Sequence, residues 1–333
     1  MQLSYAQNLE DYHLDLIFAG QQAGTYVDVG AGHPVADNVS FWFYLKGWRG
    51  LVVEPQEALA EIYAGVRPRD HAASCLAGRA EGELEFHTVD KLHGFSTTVR
   101  EHAAGASRFG AGYRTVKKPV RTLSALIEEA GLDRIDFLKI DVEGAEADVL
   151  AGVDFKRHRP RVVVIEAVAP GDMAEAWSGW EPALLAEGYS FAFFDRLNRF
   201  YVADEDKALI ARFPVEPAPW DRVQHLWDFG RAPERADHPD HALAKLLQHG
   251  LFAALPSLEP ALLAQLVMRG LQASGAGAFT PEIARTLRGS AEFPQAQVMS
   301  ADGETLARLL ATDALRAAFG RIACAYDGGH IME

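Results

Sequence analysis

Along the N-terminal part of the chain, short runs of β-branched and aromatic residues alternate with stretches whose apolar positions recur at helical spacing. Residues 25–29, with Tyr26, Val27 and Val29 as strand formers, break abruptly into Gly30-Ala31-Gly32-His33-Pro34. That is the pattern of a buried strand ending in a tight turn. Residues 50–54, 71–76, 135–144 and 161–166 read as further core strands, with an extra strand over 82–88 and an extended stretch over 116–120. Between them, residues 38–46 carry Val39, Trp42, Phe43 and Leu45 on one helical face and stop at Gly47. Pro55 opens a helix that reaches about Ala64, Thr122 caps one that stops at Gly131, and residues 145–150 and 180–187 supply two more. Ahead of all these, Leu9, Leu16 and Ile17 form the stripe of an N-terminal helix that Ser4 or Asn8 would cap. Residues 190–195 and 198–203 read as a hairpin. Strands alternating with helices and closing on a hairpin predict an α/β domain with a mostly parallel, Rossmann-like sheet and an antiparallel edge hairpin.

Two regions depart from that alternation. Residues 89–114 show no periodic apolar face and are rich in Ala and Gly, so they are expected to form a mobile lid over a substrate. His93, inside this stretch, is a candidate catalytic base or else a solvated loop histidine. After Asp204 the character changes again. Pro214, Pro217 and Pro219 punctuate a linker over residues 205–220, and residues 221–333 are Ala- and Leu-rich with helical spacing. Helices are expected there over 241–247, 260–268, 281–287 and 304–319. The sequence thus predicts a first domain over 1–204 and a C-terminal all-helical region acting as a cap or as the interface of a homodimer.

Composition narrows the function classes. At 333 residues the chain has ample length for a buried core, and 49% hydrophobic with 23% charged residues is ordinary for a globular protein. A net charge of -14 argues against nucleic-acid and anionic-membrane surfaces, which need clustered Lys and Arg. The 2 cysteines, Cys75 and Cys324, form no metal-binding or disulfide pattern. Residues at the start lack the basic, then apolar, signature of a signal peptide, and no run reaches membrane-spanning length, so a cytoplasmic protein is expected.

The glycine turn carries the first chemistry. Gly30 and Gly32 permit a close backbone approach to a ligand, and a second acidic strand end follows in Val52-Val53-Glu54-Pro55. Glycines under a nucleoside's tail with a carboxylate on its ribose are how a doubly wound sheet grips such a ligand. A dinucleotide fingerprint would place a third glycine where this chain has Val35. Asp28, two residues before the first glycine, would attract the sulfonium and amino group of S-adenosylmethionine (SAM) and repel phosphates. The turn therefore reads as a SAM site.

Further along, Lys139, Asp141 and Glu143 share one side of the strand over 135–144, while Leu138, Ile140 and Val142 take the other. Asp141 and Glu143 then fall at the carboxyl edge of the sheet, where ligands bind in open α/β folds. Glu166 ends the next strand at the same edge. A salt-bridged structural cluster is the alternative reading of these charges.

These residues also resemble the FkbM-type methyltransferases. The matching pieces are Ser4-Tyr5-x-Gln7-Asn8-x-Glu10-Asp11, Tyr26-Val27-Asp28-Val29-Gly30-Ala31-Gly32, Glu54-Pro55 and the distinctive Lys139-Ile140-Asp141-Val142-Glu143-Gly144 run. Glu166 and Asn198-Arg199-Phe200-Tyr201-Val202 add to them. The resemblance covers residues 2–203 and implies a class I methyltransferase fold with O-methylation of a hydroxyl on a sugar, glycan or glycosylated natural product. It implies Asp28, Gly30, Ala31 and Gly32 at the amino-acid end of SAM, Glu54 on the ribose, Ala73 and Ser74 beside the adenine, and Gln7 closing over the cofactor. Asp141 and Glu143 would line the boundary between cofactor and acceptor.

A sulfonium methyl is already activated, so the chemistry needs an aligned acceptor oxygen and a group that removes its proton. Glu143, Asp141, His33 and His93 are candidates. A divalent ion on Asp141 and Glu166 would serve instead, although the sequence offers no third obvious ligand. Two readings of other classes stand beside this one: a nicotinamide-dependent oxidoreductase on the same sheet, and a non-catalytic SAM-fold partner subunit docking through its helical tail.

Overall fold

The computed structural model describes residues 3–89, 93–169, 174–213 and 223–259, with residues 262, 265, 266, 269 and 270. The chain divides into two compact units, Met1–Asp228 and Phe229–Glu333. In the first unit the strands are β1 (Leu3–Ser4), β2 (Thr25–Val29), β3 (Arg49–Val53), β4 (His71–Ala73), β5 (Leu76–Ala77) and β6 (Gly82–Val89). They continue with β7 (Tyr113–Arg121), β8 (Phe137–Ile140), β9 (Val162–Glu166), β10 (Tyr189–Phe194), β11 (Asn198–Ala203) and β12 (Gln224–His225). The helices that concern the site are α1 (Glu10–Ile17), α2 (Phe41–Leu45), α3 (Glu57–Val66), α4 (Arg100–Gly105), α5 (Leu123–Glu129), α6 (Glu146–Ala151) and α7 (Glu181–Ala186).

The central sheet has 7 strands in the order β10-β11-β9-β8-β2-β3-β4. β4, β3, β2, β8 and β9 run parallel, and the β10–β11 hairpin adds the antiparallel edge. This is the expected mixed α/β architecture, consistent with a methyltransferase fold. The chain order reverses at β2, which has β3 on one side and β8 on the other. The carboxyl ends of β2 and β8 therefore diverge into a crevice, the usual ligand position in such a sheet.

Period-two alternation sends successive side chains to opposite faces, and each face is sealed separately. Val27, Val29, Leu138, Ile140, Val163 and Ile165 pack with Leu126 and Ile127 of α5, Val149 of α6 and Leu184 of α7. Tyr26, Val52, Phe137, Val162 and Val164 pack on the other face with Leu14 and Ile17 of α1, Phe43 of α2 and Tyr63 of α3. The strands read as near-continuous apolar runs because both faces are covered.

Several local expectations change. The N-terminal helix starts at Glu10 behind Leu9 in a left-handed conformation (φ 63°), with no side-chain cap from Ser4 or Asn8. The side chain of Thr122 does accept from the amide of Ala125, as a cap should (3.3 Å). The stretch read as one strand over 71–76 is split. β4 joins the central sheet, while β5 pairs with β7, which pairs in turn with β6, in a separate 3-stranded sheet. The segment after β6, read as an irregular lid, is ordered into a 3-10 turn over His93–Phe95, α4, a second 3-10 turn and β7. Its order comes from a reciprocal backbone pair between His87 and Thr97 (2.8 and 3.1 Å) and from Ala103, Ala106 and Ala111 buried with Val89. Alanines give too weak a hydrophobic contrast to show a periodic face.

Asp204–Arg212 forms a 3-10 helix, and Leu209 and Phe213 join the core cluster that holds Phe200. In the second unit the helix His241–Ala254 is described, extending the expected 241–247. The expected helices over 281–287 and 304–319, and most of that over 260–268, lie outside the described residues. Among the described residues, no helix is long and apolar enough to cross a membrane.

Candidate active site

The site is built from one row of side chains on the α1–α3 face of the sheet. Asp28 shares that face with Tyr26, Glu54 with Val52, Lys139 with Phe137, and Glu166 with Val164. In register, Asp28 lies opposite Val52 on one side and Lys139 on the other, and Lys139 lies opposite Val164. Asp28 and Lys139 thus sit in one row with Val52 and Val164, and Glu54, Gly30, Asp141 and Glu166 follow two residues further along their strands at the carboxyl edge. Lys139 is the pivot. Its Nζ lies 3.2 Å from Asp141 Oδ2 and 3.9 Å from Asp28 Oδ1, and it donates to the carbonyl of Gly30 (3.2 Å). Burial alone would lower the ammonium's pKa, but Asp141 and Asp28 more than offset it and hold the group raised.

Above this row opens a cavity of about 460 Å³, within the span of small-molecule sites. Gly30, Ala31 and Gly32 form its floor, and Glu54 stands beside them. Glu54 Oε2 accepts from the amide of Gly32 (2.8 Å) and Oε1 from that of Gln56 (2.8 Å), so the carboxylate is fixed in place. Gly30 and Gly32 both have positive φ, 72° and 60°. A Cβ on Gly30 would lie 1.7 Å from the carbonyl oxygen of Asp141, which explains the glycine at that position.

The opposite wall is acidic. β8 ends at Ile140, three residues short of Glu143, so strand alternation is not what brings Glu143 to the site. A turn does it, with Glu143 itself in the left-handed region (φ 58°). The carbonyl of Glu143 accepts from Thr97 Oγ1 (2.7 Å) and lies 3.0 Å from His102 Nδ1. Thr97 and His102 come from the segment expected to be a loose lid, which instead clamps the acidic turn. Glu146, at the start of α6, accepts from the amides of Val142 (3.3 Å) and Gly144 (3.0 Å) and closes the turn from the other side.

Asp141, Glu143 and Glu166 each offer a carboxylate oxygen within 4.8 Å of the others. Burial, followed by the charges of Asp141 and Glu146, pushes the Glu143 carboxyl well above its ordinary range. Burial, then Asp141 and Glu143, does the same to Glu166. Burial also raises Glu54, against the pull of its two amide donors. Glu143 Oε2 is buried and accepts no hydrogen bond. Such a wall favours a cation or a bound proton.

Of the residues singled out in the sequence, Gln7, Gly30, Ala31, Gly32, His33, Glu54, Asp141, Glu143 and Glu166 all line this one cavity. Asp28, Ala73 and Ser74 do not line it. Asp28 is 1% exposed and lies below the turn, where its Oδ2 accepts from Ser40 Oγ (2.6 Å) and its Oδ1 faces Lys139. Ala73 packs against the core, and the wall near β4 is made by Cys75, Leu76 and Ala77 rather than by Ala73 and Ser74. The side chain of His93 lies outside the described residues; its neighbours Gly94, Phe95 and Ser96 line the cavity. Sequence reasoning missed Lys139 as the pivot and Thr97 and His102 as the clamp, because their partners are backbone atoms or charges distant in the chain.

Residues 28–191 match the family described as methyltransferase FkbM domain. Methyltransferase sdnD of Sordaria araneosa is 32% identical over 136 residues, covering 34% of this chain and 51% of the relative. The chain thus spans about half the length of that curated relative. No solved structure gives a significant match.

Proposed function

We propose that the chain is a SAM-dependent O-methyltransferase acting on a hydroxyl of a sugar, glycan or glycosylated natural product. The observation that carries the reading is one cavity with the Gly30-Ala31-Gly32 floor and Glu54 on one side and Asp141, Glu143 and Glu166 on the other. The methyltransferase domain match favours methyl transfer over the nicotinamide reading, and the missing third glycine at Val35 agrees with it. The acceptor class rests on the resemblance to the FkbM family.

The residues present fit SAM. Glu54, anchored by two backbone amides, keeps oxygen lone pairs for the ribose hydroxyls. The acidic wall suits the cationic end of the cofactor, and the glycine floor permits close approach. SAM, when bound, supplies a methyl group on a sulfonium and leaves as a neutral thioether. Glu143 is the residue placed to take the hydroxyl proton as the new carbon–oxygen bond forms, because its side chain lines the cavity and its pKa is raised. Thr97 and His102 hold the backbone of this base in position.

The test is incubation of the purified chain with methyl-labelled SAM and a panel of glycosides and polyketide-like alcohols. The reading predicts label in an ether product and a loss of turnover of about 10²-fold or more in Glu143→Gln, with SAM affinity retained. Label on nitrogen or carbon would contradict O-methylation, and unchanged turnover in the variant would remove Glu143 as the base.

A further inference from the structure

We propose that Asp141, Glu143 and Glu166 form a binding site for one hard divalent cation, of the Mg²⁺, Mn²⁺ or Ca²⁺ class, at the wall of the cavity. The sequence offered two of these ligands; the turn after β8 supplies the third. Oxygens on a common hard cation, with bonds of about 2.1–2.5 Å, lie roughly 3–5 Å apart. The three carboxylates already offer oxygens within 4.8 Å of one another, before any ion draws them together.

Two further observations point to a ligand. Glu143 Oε2 is buried with no hydrogen-bond partner, although the side chain lines the cavity and belongs to the cluster. A buried carboxylate oxygen left bare is costly unless something occupies it. The local charge is also unbalanced. Among the described lining residues Lys139 is the one lysine or arginine, and it already faces Asp28 as well as Asp141. Among the described residues neither Glu143 nor Glu166 forms an ion pair with a lysine or arginine, and Glu146 adds a further carboxylate behind them. An all-carboxylate donor set with no His or Cys is the choice of hard cations. Lining the cavity, the ligands leave coordination positions open toward it. An acceptor with two adjacent oxygens, such as a vicinal diol, would chelate there. That last step rests on the methyltransferase reading; the ion site itself does not.

The experiment is Mn²⁺ binding to the full-length protein after EDTA treatment and dialysis, without SAM, followed by the loss of the free Mn²⁺ EPR signal. The expected result is one saturable site per chain, with affinity reduced at least tenfold in Glu143→Gln and in Glu166→Gln. Circular dichroism checks that both isosteric variants fold. Exposed Glu128→Gln should leave binding unchanged. Absence of saturable binding to the wild-type chain at millimolar Mn²⁺ would overturn the proposal, as would equal affinity in wild type and both cavity variants. Methyl transfer by EDTA-treated protein without Mn²⁺ binding would sink the ion site and leave the proposed function standing. Mn²⁺ binding without methyl transfer would do the reverse.

Discussion

Replacing Gly30 and Gly32 by alanine, one at a time, separates backbone strain from a collision that the structure places at only one of them. Both residues sit in the left-handed region, at φ 72° and 60°, so each substitution costs about 1–2 kcal/mol for conformation alone. At Gly32 the new Cβ meets nothing within 4 Å. At Gly30 it would lie 1.7 Å from the Asp141 carbonyl oxygen and 2.8 Å from the carbonyl carbon. Real Cβ contacts do not fall below 3.0 Å, so β2 and the end of β8 must part by more than 1 Å, roughly, where the Asp141 amide donates to Val29 (3.0 Å). That adds on the order of 2–4 kcal/mol. With about 2–4 °C of melting temperature per kcal/mol for a unit of this size, Gly32→Ala should lose about 2–8 °C and Gly30→Ala roughly 6–24 °C. Thermal unfolding by circular dichroism without ligand reads the difference. Equal shifts, or a larger one at Gly32, would refute the packing argument.

Two further outcomes follow from the polar groups around the site. Glu10 is buried with Oε1 on Asn198 (2.6 Å) and Oε2 on the amide of Asn8 (2.7 Å), and burial followed by the charge of Asp195 raises its pKa to about 8. Asp195 and Asp11, its titrating neighbours, are raised by burial to about 6 and about 7. A raised folded-state value means the folded chain keeps a proton the unfolded chain has lost, so stability is full below about pH 4.5 and falls as pH rises through 8. Glu10→Gln should flatten this decline by on the order of a few kcal/mol between pH 5 and pH 8.5; parallel denaturation curves for variant and parent would contradict the assignment. Thr97→Val removes the donor to the Glu143 carbonyl and the acceptor for the amide of Val99 (2.9 Å). It should lower kcat at least several-fold with SAM affinity within twofold and cost about 1–2 kcal/mol of stability, whereas a loss confined to SAM binding would place Thr97 elsewhere in the mechanism.

The sheet was legible because its signals are local. Tyr26, Val27 and Val29 declare β2, the run from Val162 to Ile165 declares β9, and the hairpin residues alternate cleanly. The acidic character of the edge was equally visible in Glu54, Asp141 and Glu166. What stayed hidden depends on partners far apart in sequence. Nothing near Asp28 announces that Ser40 and Lys139 will take it below the cavity floor, and nothing near Thr97 announces the carbonyl of Glu143. The position of Glu143 was anticipated on a wrong premise: strand alternation was expected to carry it to the edge, but β8 stops early and a left-handed turn does so. Ala73 and Ser74 do not line the cavity for a related reason, since the chain leaves the central sheet after β4 and presents Cys75, Leu76 and Ala77 to it.

The most direct test of the central claim is calorimetric titration of the full chain with SAM and, separately, with NADH, repeated on Glu54→Ala. The account predicts saturable binding of SAM, none of NADH, and at least a tenfold loss of SAM affinity in the variant, because Glu54 is the fixed carboxylate beside the glycine floor. Absence of SAM binding, or binding of NADH in its place, would contradict the assignment of this cavity to a methyl donor.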